Sequence, residues 1–275
     1  MRAAAIQMSS NADKQRNLDS AERLVRAAAA DGATLVVLPE KFNVLGTRDD
    51  LLAGAEPLDG PTLAWARALA RELAIDLVAG SIPERRDGRE RLSNTSVHIG
   101  PDGRDRGVYR KIHMFDVVVG GREYRESETE EPGEEIVTSA AGGVELGLTV
   151  CYDLRFPELF RILAVRGARV VALPAAFTTV TGAAHWDTLV RARAIENQSF
   201  VVAADQVGAH PGGMESYGAS QVVDPWGEVL ARVEGGEGFA AADLDLTRQD
   251  EVRASLPSLA NRVPAAYRWP LEAGA

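Results

Sequence analysis

The sequence predicts an α/β layered fold, and three observations lead to this class. Apolar, strand-like runs alternate with amphipathic helical patterns along the 275 residues. Many of these runs lack the polar alternation of half-exposed strands, which indicates sheets that are covered on both faces. Predicted hairpins add antiparallel pairs, so a purely parallel sheet is excluded and mixed sheets are expected.

The first half of the chain supplies strands, two helices and a hairpin. Residues 11–32 have the spacing of a capped helix that ends at a glycine, and residues 61–74 form a helix that begins with proline, a favoured first-turn residue. The runs at 91–100 and 103–112 flank the turn sequence PDG and predict a hairpin. Apolar runs predict further strands at 2–9, 34–40 and 75–81.

The second half repeats this alternation and closes with a meander. The strand at 144–150 leads into a helix that we expect from about Phe156. Residues 217–233 predict two strands around an Asp-Pro-Trp-Gly turn. The remaining predicted elements are a strand at 168–177, a helix at 183–198 and strands at 199–206 and 238–246. Residues 120–135 are predicted as one long polar loop, a candidate lid or site wall.

Composition and charge narrow the class of protein. The formal net charge of −10 argues against a nucleic-acid partner, because phosphate contacts need a basic surface. The N-terminal segment lacks the apolar core of a signal peptide, and no apolar run approaches the length of a membrane-spanning helix, so no membrane partner is expected. One cysteine excludes an internal disulfide and favours a cytoplasmic location. The sequons at Asn94 and Asn197 are then idle.

The only cysteine, Cys151, stands where the apolar run 144–150 ends and a helix is expected to begin. Free cysteine is commonly a small buried apolar residue, and that interpretation stays open. A strand-to-helix transition, however, places a side chain beside unpaired backbone N–H groups, which can hold a developing oxyanion. Because an ordinary thiol has a pKa near 8.5, it needs a base or a cation to react at neutral pH.

Glu40 is the base that the sequence favours. It follows the buried strand 34–40 directly, and poor solvation raises the pKa of a carboxyl toward the range of a general base. An ordinary strand-end glutamate is the alternative. Any of four histidines also remains open as a base: His98, His113, His185 and His210.

Lys111 is the candidate cation. The chain has 30 Lys and Arg residues and only three are Lys, at positions 14, 41 and 111, so lysine is expected where arginine does not substitute. Arg110 and Lys111 are adjacent in a predicted strand and point to opposite faces, so one of them faces inward. A carboxylate, an ammonium and a thiol together can transfer the acyl group of an amide to water through a thioester.

Three segments, LPEKF, YRKIHMFD and GLTVCYDLRFPELFR, resemble the catalytic boxes of the nitrilase superfamily, the carbon–nitrogen hydrolases. The resemblance runs from residue 3 to about residue 267. It implies one hydrolase domain over residues 1–275 with a four-layer α-β-β-α sandwich fold. It also implies a homodimer or higher homo-oligomer, with residues 255–275 packing at the interface. No metal or cofactor is expected, because no cluster has the Cys/His spacing of a zinc site and no GxGxxG motif follows a strand.

The resemblance also assigns roles to residues. It implies Glu40 as general base, Lys111 as oxyanion-stabilising lysine and Cys151 as nucleophile, with the N–H of Tyr152 helping to bind the oxyanion. Glu126 in "RES" best matches a second glutamate of the family, although Glu123, Glu128, Glu130 and Glu131 lie in the same loop.

The segments FTTVTGAAHW and RARAIENQ are similar to the branch of omega-amidase and deaminated-glutathione amidase, with Ala219 departing from a histidine common there. Both substrates carry a carboxylate, so a small-molecule amide with a carboxylate is the expected substrate. Arg155 is the candidate cation for it, or else it pairs with Asp153 or Glu158. Phe177, Thr178 and Thr179 are expected in the pocket, and Trp186 and Trp226 are expected in packing.

Three alternatives to such an amidase remain. One is another carbon–nitrogen hydrolase, such as an N-carbamoyl amino-acid hydrolase or a nitrilase. The second is a catalytically idle binding protein on the same fold. The third is a redox-sensing thiol protein that uses Cys151.

Overall fold

The computed structural model describes residues 1–267. The α-helices are α1 Lys14–Ala30, α2 Arg48–Gly54, α3 Pro61–Leu73, α4 Pro157–Val165, α5 Thr179–Asn197 and α6 Leu246–Ser255. The first nine strands are β1 Arg2–Gln7, β2 Leu35–Val37, β3 Asp76–Val78, β4 Ile82–Glu84, β5 Ser93–Ile99, β6 Asp105–Arg110, β7 Asp116–Val119, β8 Arg122–Arg125 and β9 Thr138–Ala141. The others are β10 Val144–Leu148, β11 Val170–Ala175, β12 Phe200–Asp205, β13 Val207–His210, β14 Met214–Tyr217, β15 Gln221–Val223, β16 Val229–Arg232 and β17 Gly238–Asp243.

Two mixed sheets form the centre of the fold. One has the strand order β17-β1-β2-β3-β5-β4, with β6 paired to β5, and the other has the order β16-β15-β12-β11-β10-β9. Strands β1, β2 and β3 are parallel in the first sheet, as are β10, β11 and β12 in the second. Antiparallel strands flank both parallel centres, so the expectation of mixed sheets is confirmed.

The layers follow from where the apolar side chains point. In β1, Ala4 and Ile6 pack in the core that the first sheet shares with α1 and α3, whereas Ala3 and Ala5 face the second sheet. Helices α4 and α5 cover the far side of the second sheet. Strands buried on both faces therefore read as unbroken apolar runs, and the four layers are α-β-β-α.

Apart from the ten-residue helix α6, the elements that sequence analysis missed are short or rich in glycine. Helix α2 has seven residues, and the β13–β14 hairpin includes three glycines with positive φ, at 208, 212 and 213. The prediction of one loop over 120–135 was wrong in part, because residues 122–125 pair with 116–119 in a hairpin. Val117 and Tyr124 are half-buried beside charged neighbours, and this polar pattern concealed the strands.

Within residues 1–267, no helix combines the length and the apolar character needed to cross a membrane. The predicted packing of residues 255–275 at an oligomer interface concerns a segment of which 268–275 lie outside the described residues.

The topology gathers several strand ends at one edge. Strands β2 and β3 are parallel, β5 is antiparallel to β3, and β6 is antiparallel to β5, so β6 runs in the same direction as β2. Residues that follow β2 and β6 therefore emerge at the same edge of the first sheet. The parallel strands β10 and β11 end beside them, since the backbone N–H of Glu40 donates to the carbonyl of Ala175 at 3.3 Å.

Candidate active site

Glu40 is held in place by four contacts at the end of β2. Its side chain is buried, and Oε1 accepts a hydrogen bond from Asn94 Nδ2 at 2.7 Å while Oε2 accepts one from the Ala176 N–H at 2.9 Å. Its carbonyl accepts from Gln206 Nε2 at 2.9 Å, and Lys111 Nζ lies 3.1 Å from Oε1. The carboxylate therefore has one orientation, which a general base requires.

Lys111 faces inward from the end of β6, and Arg110 faces the opposite way, which confirms the predicted alternation of the two. Arg110 binds Glu84 with its guanidinium on the other face, at 2.7 and 2.8 Å. Lys111 is 1% exposed and donates to Glu40 Oε1 and to both carboxylate oxygens of Glu126, at 2.9 and 2.8 Å. Burial alone lowers the pKa of an ammonium, but the charges of Glu126 and Glu40 raise the pKa of Lys111 well above its ordinary value. The group stays a cation.

Cys151 has a strained backbone at the end of β10. Its φ is +48°, a left-handed conformation that costs a residue other than glycine about 1–2 kcal/mol. A 3₁₀ turn over Cys151–Arg155 follows, and Asp153 fixes it by accepting from the Val150 N–H at 2.8 Å. The helix expected from about Phe156 is confirmed, because α4 begins at Pro157. The 3₁₀ turn separates it from the cysteine, so the N–H groups beside the thiol belong to the turn.

The thiol is protonated at rest. Burial raises the pKa of Cys151 well above its ordinary value, and the nearby charge of Glu40 raises it further. Lys111 and the N–H of Ala176 act in the opposite direction and lower it. A carboxylate that raises the pKa of a thiol by its charge is also the group placed to accept its proton.

Glu126 is the loop glutamate that the structure brings to Lys111. It lies at the base of the β7–β8 hairpin, where Oε2 also accepts from the Phe115 N–H at 2.7 Å. Burial alone raises the pKa of a carboxyl, but Lys111 and Lys41 lower the pKa of Glu126 well below its ordinary value. Glu123 pairs with Arg125 on the surface, Glu131 pairs with Arg86, Glu128 is exposed, and Glu130 contacts Lys41.

Glu40, Lys111 and Cys151 line one cavity of about 420 Å³, a size suited to a small organic molecule. Glu126 lines it as well. Among the predicted substrate contacts, Tyr152, Phe177 and Thr178 are also on its wall. The roles of these side chains toward a substrate stay predictions.

Arg155 is not among the residues that line the cavity. Its guanidinium lies 3.3 Å from His185 Nδ1 and faces the rings of Tyr152 and Phe177, at 5.9 and 5.0 Å from their centroids. Within the described residues it forms no ion pair with Asp153 or Glu158, because Asp153 is buried among other donors. The 3₁₀ turn directs the arginine along the aromatic wall instead.

The two tryptophans that were expected in packing differ in how deeply they are buried. Trp186 is fully buried and donates to the Ala219 carbonyl at 3.0 Å, which confirms its packing role. Trp226 is 56% exposed in this chain, so its predicted packing role was wrong. It lies in the tight turn between β15 and β16, which the Gly227 N–H closes by donating to the Asp224 carbonyl at 2.9 Å.

None of the four histidines hydrogen-bonds the thiol within the described chain. His98 binds Asp76 and Ser139, His113 binds Asp153, and His185 lies beside Arg155. His210 lines the cavity but its nitrogens contact the Ser10 carbonyl and Ser216 Oγ, at 2.8 and 3.0 Å. The geometry favours Glu40 over histidine as the base.

Sequence analysis missed two site residues, Asn94 and Lys41. Asn94 was read as an idle sequon, but it donates to Glu40 and its carbonyl accepts from the Lys111 N–H at 2.9 Å. The sequence signal for Asn94 was its position opposite the end of β6 in the predicted hairpin. Lys41 was noticed only for the scarcity of lysine, although it directly follows Glu40 and lines the same cavity.

Comparison with known proteins agrees with this geometry. A sequence profile described as carbon-nitrogen hydrolase matches residues 2–254. The chain belongs to the carbon–nitrogen hydrolase family. Within this family it is 40% identical over 266 residues to a deaminated glutathione amidase of Synechocystis, covering 95% of this chain and 97% of that protein. It is 39% identical over 257 residues to human omega-amidase NIT2, covering 93% and 92%.

Solved structures of the family have the same fold. Yeast Nit3, a nitrilase-superfamily member, superposes with a TM-score of 0.87 at 32% identity and covers 97% of both chains. The C. elegans NitFhit protein gives a TM-score of 0.89 at 37% identity, covering 97% of this chain and 66% of that one. An amidase from Nesterenkonia sp. AN1, with a TM-score of 0.77 at 29% identity over 94% of this chain and 98% of that one, carries acrylamide on its active-site cysteine.

Proposed function

We propose that this carbon–nitrogen hydrolase is a thiol amidase that cleaves a linear, carboxylate-bearing carboxamide to a carboxylic acid and ammonia. The observation that carries the proposal is that Glu40, Lys111 and Cys151 line one cavity and act on one another electrostatically. The names of the relatives, deaminated glutathione amidase and omega-amidase, support a linear amide as substrate.

In the acylation step, Glu40 accepts the thiol proton of Cys151 as the sulfur attacks the amide carbon. The carbonyl oxygen gains the negative charge, and the Lys111 ammonium and the N–H of Tyr152 stabilise it. The C–N bond then breaks, and the proton on Glu40 passes to the leaving nitrogen. Ammonia departs and an acyl thioester remains on the sulfur.

In the deacylation step, the same carboxylate accepts a proton from water. The hydroxide oxygen bonds to the thioester carbon, and the oxyanion again faces Lys111. The C–S bond breaks, the proton returns from Glu40 to the sulfur, and the carboxylic acid leaves. In the resting site, Glu126 holds the Lys111 ammonium in place through two hydrogen bonds.

Arg48 is the cavity cation that we assign to the carboxylate of the substrate in place of Arg155. The other cations on the wall are engaged. Lys111 and Lys41 contact carboxylates, Arg125 pairs with Glu123, and Arg122 donates to the carbonyls of Gly212 and Gly213. Within residues 1–267, Arg48 has no hydrogen bond or ion pair, and it is exposed at the start of α2. A guanidinium can bind a carboxylate through two parallel bonds.

The experiment is ammonia release from matched compounds: succinamate, butyramide, an N-carbamoyl amino acid and a nitrile. We expect turnover of succinamate above that of butyramide. In Arg48→Gln the KM for succinamate is expected to rise about tenfold, the effect of losing about 1.4 kcal/mol of binding free energy, while the KM for butyramide stays unchanged.

Preferred turnover of the carbamoyl compound or the nitrile would favour the alternative hydrolases. No turnover, with Cys151 alkylated no faster than a free thiol, would favour a binding protein. Oxidation of Cys151 by peroxide that outruns every turnover would favour a redox sensor.

We also propose a homodimer in the cytoplasm. Exposed apolar side chains on α4 and α5 support a second copy as the partner: Ile162, Val165, Val180 and Ile195. A reducing compartment keeps the single thiol free. Light scattering tests the homodimer, and a monomer at micromolar concentration would contradict that proposal. Fractionation of the native cells tests the cytoplasmic location.

A further inference from the structure

A second ammonium lies on the wall of the cavity beside the groups described above. Lys41 follows Glu40 directly and has a φ of +51°, a left-handed conformation that residues other than glycine rarely adopt. Its N–H donates to Ser81 Oγ at 3.0 Å, which holds this turn. The side chain is 9% exposed and lines the cavity. Strain of this kind concentrates at functional sites.

Lys41 and Lys111 share one carboxylate oxygen. Glu126 Oε1 accepts from Lys111 Nζ at 2.9 Å and from Lys41 Nζ at 3.4 Å. Lys41 Nζ also lies 2.8 Å from Glu130 Oε1, although in the described chain neither oxygen of Glu130 accepts a hydrogen bond. Burial, together with the charge of Glu126, raises the pKa of Glu130 to about 8 against the opposing effect of Lys41. Glu130 therefore holds its proton more firmly than an ordinary carboxyl, whereas the two ammonium groups lower the pKa of Glu126 and share its charge.

The charges of the cluster balance only if Lys41 is included. Glu40 and Glu126 contribute two negative charges, and Lys111 and Lys41 contribute two positive charges. Without Lys41, the buried cluster has a net negative charge where both the thiolate and the oxyanion must form. Such charges interact strongly in a poorly solvated site.

The hydrogen bonds of Lys111 lead to the same conclusion. Its ammonium has three N–H groups, and its protein acceptors are Glu40 Oε1 and the two oxygens of Glu126. An oxyanion needs one of these N–H groups. A second cation on Glu126 Oε1 reduces the cost of releasing the bond to that oxygen.

We propose that Lys41 is a positioning residue of this site, which offsets the charge of Glu126 and so frees an N–H of Lys111 for the substrate oxygen. The proposal rests on the function proposed above for its catalytic step. It also predicts the reactivity of the resting thiol. The charged groups around Lys41 are Glu130, Glu126, Glu40 and Lys111, and two of them, Glu40 and Lys111, also act on Cys151.

The test compares Lys41→Met, Lys41→Arg and the matched control Lys14→Met. Lys14 also binds a buried glutamate, Glu56, but it does not line the cavity. The first readout needs no substrate: the rate of Cys151 alkylation by iodoacetamide at pH 8, measured by intact mass. Lys41→Met is expected to react about tenfold more slowly, since loss of one positive charge from the buried cluster that contains Glu40 and Lys111 raises the thiol pKa by about 1 unit or more. Lys41→Arg and Lys14→Met are expected to react near the wild-type rate.

The second readout is turnover of succinamate. Lys41→Met is expected to lower kcat about 100-fold, as a displaced catalytic group does, with little change in KM. Lys41→Arg should recover most of kcat. If Lys41→Met loses its cooperative thermal unfolding, Lys41→Gln removes the charge instead and must show the same slow alkylation.

A wild-type alkylation rate and kcat in a folded Lys41→Met protein would overturn the proposal and leave Lys41 a purely structural residue. A slow alkylation rate in Lys14→Met as well would overturn it too, because general destabilisation would then explain both. Failure of the wild type to hydrolyse any amide counts against the proposed function, while the alkylation comparison still decides the role of Lys41.

Discussion

Two buried polar clusters of this molecule contain the residue types of a hydrolytic centre, but they differ in access. In the first, Glu40, Lys111 and Cys151 line a cavity. In the second, His98 Nδ1 lies 2.8 Å from Ser139 Oγ and His98 Nε2 lies 3.1 Å from Asp76 Oδ1. These are the residue types of a serine hydrolase triad, with the roles of the two ring nitrogens exchanged.

The second cluster joins the two sheets instead of facing a cavity. His98 and Asp76 belong to the first sheet and Ser139 to the second, and none of them is among the residues on the cavity wall. Their polar groups are satisfied by one another, which is what burial between sheets requires. Residues of suitable types therefore form an active site only where the carbonyl carbon of a substrate can reach the nucleophile. A positive charge must also be placed to stabilise the carbonyl oxygen of that substrate.

The largest loss of kcat is expected when the nucleophile of the first cluster is removed. Cys151→Ala should lower kcat for succinamate by roughly 10⁴-fold or more, the effect of removing a nucleophile, while the protein stays folded. Ammonia release and thermal unfolding measure the two properties. Cys151→Ser should be nearly as inactive, because a hydroxyl is harder to deprotonate. Persistent turnover in the alanine variant would mean that another group is the nucleophile.

Replacement of the Lys111 ammonium by another cation is expected to cause the next largest loss of kcat. Lys111→Arg keeps the charge but replaces a compact ammonium by a planar group that does not fit among Glu40 and Glu126. A loss of about 100-fold or more in kcat is expected, similar to loss of an oxyanion donor. A near-normal kcat would show that any cation here suffices. Arg110→Lys, on the opposite face, is the matched control.

A pH-dependent effect on stability is expected at Glu130. Burial raises its pKa to about 8 in the folded protein, above the value near 4.5 of the unfolded chain. The folded state therefore keeps a proton that the unfolded state has lost, and the stability falls as pH rises from about 4.5 to about 8. Glu130→Gln cannot titrate, so its stability should fall less between pH 6 and pH 8.5, by on the order of 2 kcal/mol.

Denaturant unfolding at the two pH values measures this difference. Glu128→Gln is the matched control, because Glu128 is exposed in the same turn and its removal should leave the pH dependence as in the wild type. Parallel pH profiles for wild type and Glu130→Gln would show that Glu130 is already ionised in the folded protein.

The smallest effect on activity is expected in the second cluster. Ser139→Ala removes one partner of His98 and should cost about 1 kcal/mol of unfolding free energy, the usual value of a hydrogen bond. Its kcat should equal that of the wild type. A loss of kcat comparable with that of Cys151→Ala would place this cluster in catalysis and end the distinction between the two.

The sequence predicted those parts of the site that depend on local pattern. Glu40 and Cys151 follow apolar runs that are buried strands, and alternation in β6 predicted opposite faces for Arg110 and Lys111. Other parts depend on how distant segments meet. The contacts of Lys41 with Glu126 and Glu130 exist because the β7–β8 hairpin folds back over the strand ends, and no local pattern shows this.

Two features that local pattern does not show have the same physical origin. The contact of Arg155 with a substrate carboxylate stays a prediction, and the 3₁₀ turn that Asp153 stabilises sets the direction of this side chain. Residues 120–135 were expected to be one loop, because charged side chains on a short two-stranded hairpin hide its apolar face. Side-chain direction after a turn depends on tertiary hydrogen bonds, which the sequence does not display.

The central claim is that the sulfur of Cys151 carries the acyl group of the substrate. Its most direct test is rapid acid quenching of the wild-type enzyme with succinamate, followed by mass analysis of the peptide that contains residue 151. The account predicts a transient mass increase equal to the acyl group on Cys151, formed and consumed as ammonia is released. Ammonia release with an unmodified Cys151 at every time point, together with an acyl group on another residue, would contradict it.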